Sequence, residues 1–85
     1  MATGILEAAS QLANTLIKEN YFGKSCFGSG YNFVTGERDV QHEATNNKLT
    51  KEIAQSYCPE GYVVTNVRYS NSDKYHLVSF YIKAA

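Results

Sequence analysis

Apolar and polar positions change their rhythm several times along this chain, and each change marks an element. Between residues 4 and 19, Ile5, Ala9, Leu12 and Leu16 recur at helical spacing, widened by Leu6, Ala13 and Ile17. Glu7, Ser10, Gln11, Asn14, Thr15 and Lys18 fall opposite. Such a stripe predicts an amphipathic helix with one buried face. Thr3 is placed to cap its first turn, and Glu7 lies at the dipole end that favours a carboxylate.

From 20 to 45 the helical period disappears. Aromatics alternate with glycines at 23, 28, 30 and 36, so bulges, turns or close backbone approaches are expected. The run "VTGERDV" suits a tight turn around Gly36-Glu37 between strands at 31–35 and 38–43, and 21–27 reads as a further short strand. In "TNNKLTKEIAQSYCPEGY", Leu49, Ile53 and Tyr57 repeat at i, i+4, i+8, predicting a second helix over 48–57. Thr45, Asn46 and Asn47 offer capping oxygens, and Pro59 and Gly61 end the helix. Lys48 and Lys51 stand at the unfavourable end of its dipole, so this helix depends on packing.

The last quarter, "GYVVTNVRYSNSDKYHLVSFYIK", alternates as two strands around a polar turn. With Ser70 opposite Tyr75, the residues Val63, Thr65, Val67 and Tyr69 share a face with His76, Val78, Phe80 and Ile82. That face is a good core. The other carries Tyr62, Val64, Asn66 and Arg68 with Tyr75, Leu77, Ser79 and Tyr81, where water would favour Lys, Glu and Thr. A slip of one residue would mix both faces without making either wet.

The element order is therefore α-β-β-α-β-β. It predicts an α+β protein with two helices packed on one face of a four-stranded antiparallel sheet. At 85 residues the chain is expected to form one compact domain, 1–85. It is long enough to bury roughly 9,000 Å² without staples.

Composition narrows the function. Eight Lys plus Arg balance eight Asp plus Glu. A binder of phosphate backbones normally carries a basic excess, so neutrality argues against nucleic acid and makes association with protein easier. The first 20 residues lack a basic leader, and Glu7, Ser10, Gln11 and Asn14 interrupt their apolar positions. We therefore expect neither a signal peptide nor a membrane span, and a cytoplasmic, reducing setting. Two cysteines, Cys26 and Cys58, are too few for a disulfide framework, although a single bridge between them stays open.

Candidate chemistry is sparse. "GKSCFGSG" lacks the upstream glycine and the following helix of a phosphate loop. Cys26 with His42 or His76 has the ingredients of an activated thiol, but two of each residue make that pairing common by chance. No zinc spacing exists. We expect no enzyme, no cofactor and no metal.

What remains is the second hairpin face, and tyrosine with arginine is the residue usage of interfaces. The expected function is a non-enzymatic protein–protein interaction module: an inhibitor, adaptor or assembly subunit. It would bind a protein partner, or itself as a homodimer, through Tyr62, Val64, Arg68, Tyr75, Leu77 and Tyr81. The plain alternative is a solvated, tyrosine-rich surface. A nucleic-acid or small-ligand binder using the same aromatic face is another. One short stretch adds a further reading. "NFVTG" at 32–36, following a helix preceded by Gly4, is similar to the Q-x-V-x-G hairpin loop of cystatins, with Asn32 in place of Gln and no Trp elsewhere. The resemblance implies a cysteine-protease inhibitor whose Asn32–Gly36 loop, with Gly4, Val34 and Gly36, enters the protease cleft.

Overall fold

The computed structural model describes residues 4–85. Its elements are α1 (Ile5–Lys18), β1 (Phe22–Asn32), β2 (Glu37–Ala44), α2 (Lys51–Tyr57), β3 (Tyr62–Asn71) and β4 (His76–Ala84). The four strands form one antiparallel sheet in the order β1-β2-β4-β3, so β2 and β4 are central and β1 and β3 are edges. Both helices cover the same face, giving the expected α+β architecture.

The stripe on α1 does what its spacing requires. Ala8, Ala9, Leu12, Ala13 and Leu16 are buried against the sheet. Gly4 takes the N-cap position, while Thr3 lies outside the described residues. Asn20 ends the helix with a positive φ of 67°. The amides of Asn20 and Tyr21 then turn back to the carbonyls of Ile17 and Leu16, at 3.1 and 2.9 Å. This paired closure satisfies two orphan carbonyls and aims the chain into β1.

β1 departs from the sequence reading. Its glycines do not divide it into separate strands: one strand runs from Phe22 to Asn32, with irregular register on either side of Cys26. Gly23 is there for closeness, since a Cβ at this position would lie 3.0 Å from the Glu43 carbonyl. α2 is shorter than expected. It starts at Lys51, because Thr50 and not Thr45, Asn46 or Asn47 caps it, accepting from the Ile53 amide at 3.2 Å. The Thr45 hydroxyl and the Asn46 amide group donate instead to the Asn20 carbonyl, tying the loop before α2 to the end of α1.

The core is a continuous cluster between the helices and the inner sheet face. Phe22, Phe80, Leu12, Leu16, Ile82, Val64 and Val78 are its largest fully buried members. The Phe22 ring stacks between Phe80 (5.6 Å) and His42 (4.8 Å). Two polar side chains fasten α2 and the loop before it. Gln55 Oε1 accepts from the Val64 amide at 2.7 Å, covering part of the β3 edge. The Tyr69 hydroxyl accepts from the Leu49 amide at 2.8 Å and lies 3.3 Å from the Leu49 carbonyl. Leu49 is buried, so its backbone has no ready replacement partner. Tyr69→Phe is therefore expected to cost about 1–3 kcal/mol in urea unfolding, with the m-value unchanged.

Candidate functional site

The expected contact surface is divided by a single extra residue. Between Val64 and Asn66 the β3–β4 register shifts, leaving Thr65 as a bulge. Val67 and Tyr69 lie on the helix side as expected, paired with Phe80 and Val78, but beyond the bulge the alternation inverts. Val64 then pairs with Ile82 and is 0% exposed, and Tyr62 packs on the core. Both residues were expected on the outer face, and both are corrected to the helix side. The turn also differs. Asn71 pairs with His76, so Ser70 lies opposite Leu77 and Tyr75 belongs to the loop.

The other expected residues do not form one patch. Arg68 and Gln41 lie across from Ser79 on either side, and Gln41 Nε2 reaches the Ser70 hydroxyl at 3.4 Å, so a polar band crosses the middle of the sheet. Tyr75 and Leu77 lie at one end, where the Tyr75 ring meets Phe27 edge-on at 4.8 Å. Tyr81 lies toward the other end, beside the β1–β2 hairpin.

That hairpin carries the most exposed apolar side chains of the described residues. Phe33 is 89% exposed and Val34 is 94% exposed. Their backbone is held firmly. Asn32 Oδ1 accepts from the amides of Val34 (2.8 Å) and Thr35 (3.2 Å). Gly36 bonds back to the Asn32 carbonyl at 2.8 Å and adopts φ 75°, which a side chain would resist. Tyr31 meets Phe33 edge-on at 5.0 Å, and the Arg38 guanidinium lies 5.5 Å from the Tyr31 ring centre. A recess of about 520 Å³ lies on one side of the tip, where Phe33 and Val34 meet Asp39 and Tyr81. Another of about 410 Å³ brings Ile5 together with Thr35, Gly36 and Tyr62. Phe33 was missed in the sequence reading. The available signal was an apolar pair where turn chemistry calls for polar residues.

Electrostatics fixes the base of this hairpin. The Thr65 hydroxyl donates to the Glu37 carboxylate, so the bulge that turns Val64 inward also anchors the start of β2. Hydrogen bonds from Thr65 and then Thr35 hold the Glu37 carboxyl below its ordinary value of 4.5, with Lys83 helping. A lowered folded pKa gives stability that is present above the unfolded value and lost as pH falls through the folded one. The melting temperature of Glu37→Gln should therefore lie below wild type at neutral pH, and the gap should shrink as pH falls below 4.5.

The remaining candidates are separated or differently engaged. Cys26 and Cys58 are both free thiols, and burial pushes the Cys58 thiol up. Cys26 pairs across the strands with His42, and its thiol lies 3.6 Å from the Gly28 carbonyl. The His76 ring stacks on Tyr69 and bonds Asn71 and Asn47. Among the described residues no group of three or more His, Cys, Asp or Glu is placed to hold a metal ion. Nor is any helix long and apolar enough to cross a membrane. No family model, curated protein or solved structure matches this chain.

Proposed function

We propose that this protein is a non-catalytic binding module that seats the tip of its β1–β2 hairpin in an apolar cleft of a protein partner. One observation carries the reading: Phe33 and Val34, side by side, are almost wholly exposed on a turn that three hydrogen bonds to Asn32 hold in place. Folding gains nothing from leaving them in water. Burying each against a partner is worth about 1.5–3 kcal/mol, and a preformed turn loses little further entropy on binding. Tyr81, beside the tip, extends the contact. The polar band around Ser79 weighs against a continuous tyrosine face as the main contact. A reducing, cytoplasmic setting belongs to the same proposal and is supported by two free cysteines.

A second reading is favoured by the recess that joins Ile5 to Thr35 and Gly36. It brings the start of α1, where Gly4 lies, to the hairpin end of the molecule. The cystatin resemblance implies that Gly4, Val34 and Gly36 act together, and this arrangement supports it. Titration of papain activity separates the readings. A cysteine-protease inhibitor would act stoichiometrically and lose at least tenfold in potency on Val34→Asp. Absence of inhibition by wild type would remove this narrower reading and leave the partner to be sought elsewhere.

A further inference from the structure

The core does not fill the space between α1 and the outer half of the sheet. A cavity of about 210 Å³ remains there. It exists because the facing side chains are small: Ala9 and Ala13 on the helix, Ser29 on β1. Leu6 and Val40 complete an apolar wall.

Arg38 and His42, two residues on either side of Val40 along β2, border the same cavity. The Arg38 Nε–H is buried and has no hydrogen-bond partner among the described residues. A guanidinium stays charged and can only donate, so this N–H needs an acceptor. His42 is 5% exposed. Its Nδ1 lies 2.8 Å from the Gly23 carbonyl, which can only accept. A proton is thereby placed on Nδ1, which ties the ring to the β1 backbone. Among the described residues, no carboxylate and no Lys or Arg other than Arg38 lines the cavity.

We infer that this cavity binds a small organic monocarboxylate. The carboxylate pairs with Arg38, and an apolar body about the size of one ring lies against Leu6, Ala9, Ala13 and Val40. A lone guanidinium suits a single negative charge, and an apolar pocket with a few convergent polar groups is the usual form of a ligand site. The size agrees, since a cavity of about 150 Å³ accommodates benzene. The site lies under the helix, away from the exposed tip, and does not rest on the tip's role.

The test is a titration of ¹⁵N-labelled protein with benzoate, followed by amide shifts and run beside benzyl alcohol as a neutral probe of similar size. Saturable shifts at Ala9, Ala13 and Val40 are expected for benzoate, with a dissociation constant of about 1 mM, as suits so small a ligand. Arg38→Gln should weaken binding by about tenfold or more. Ser29→Leu, a change at an exposed edge position that fills the cavity, should abolish it. Shifts that never saturate, equal affinity for the alcohol, or full binding by the Arg38→Gln protein would each overturn the assignment. Should Arg38→Gln fail to fold, the leucine variant decides: benzoate binding that survives it refutes the site.

Discussion

Phe33→Ser/Val34→Asp is expected to cut partner affinity by about 1,000-fold while leaving the melting temperature within a degree or two of wild type. The magnitude follows from two side chains worth about 1.5–3 kcal/mol each on burial, since about 4 kcal/mol is three decades in affinity. The unchanged stability follows from their exposure: Phe33 is 89% and Val34 94% exposed, and the ring contact that Phe33 makes is edge-on with Tyr31. The turn itself is held by Asn32 and Gly36, which the double substitution leaves intact. An outer-face variant, Tyr75→Ser, should lose little affinity. Tyr81→Ser should fall between the two, because Tyr81 borders the recess beside the tip.

Val64→Asp is expected to unfold the protein or to cost more than about 4 kcal/mol, while Val63→Asp costs less than about 1 kcal/mol. The two positions are neighbours in sequence, and only the Thr65 bulge decides which of them faces the core. Val64 is fully buried opposite Ile82, so a carboxylate there has no water and no partner. Val63 pairs with exposed Lys83, which offers an aspartate an opposite charge across the strands. A folded domain of this length holds only about 4–13 kcal/mol in total, so the first change should be visible in a simple urea titration. The bulge-free alternation read from the sequence requires the opposite ranking.

This pair of valines also shows where the sequence was readable and where it was not. α1 was legible because its apolar stripe has one period and one face. The class and order of elements followed from three such changes of rhythm. The bulge at Thr65 left no mark, since neither Gly nor Pro stands there and both faces of the final hairpin mix Tyr, Val and Thr. Either register satisfies such a pattern, and the choice is made by packing against α2, where Gln55 bonds the Val64 amide. The glycines of β1 misled in the other direction. They read as breaks, yet the strand continues, with Gly23 admitting the Glu43 backbone. At the α2 start, four residues with capping oxygens stood in a short stretch, and only tertiary contacts assign Thr45 and Asn46 to Asn20 and leave Thr50 as the cap. The proposed contact surface differs from the expected one for the same reason. With Tyr62 and Val64 turned inward, the apolar excess on the outside is concentrated at Phe33 and Val34.

The most direct test of the hairpin tip as the binding element is quantitative capture from cells that make the protein. Wild type, Phe33→Ser/Val34→Asp and Tyr75→Ser serve as matched baits, each shown by its melting curve to be folded. The proposal predicts a partner held by wild type and by Tyr75→Ser and lost from the tip variant, with the purified pair reproducing that order in a binding titration. A partner that the tip variant retains and Tyr75→Ser loses would contradict it. So would the same set of proteins on all three baits, or none on any.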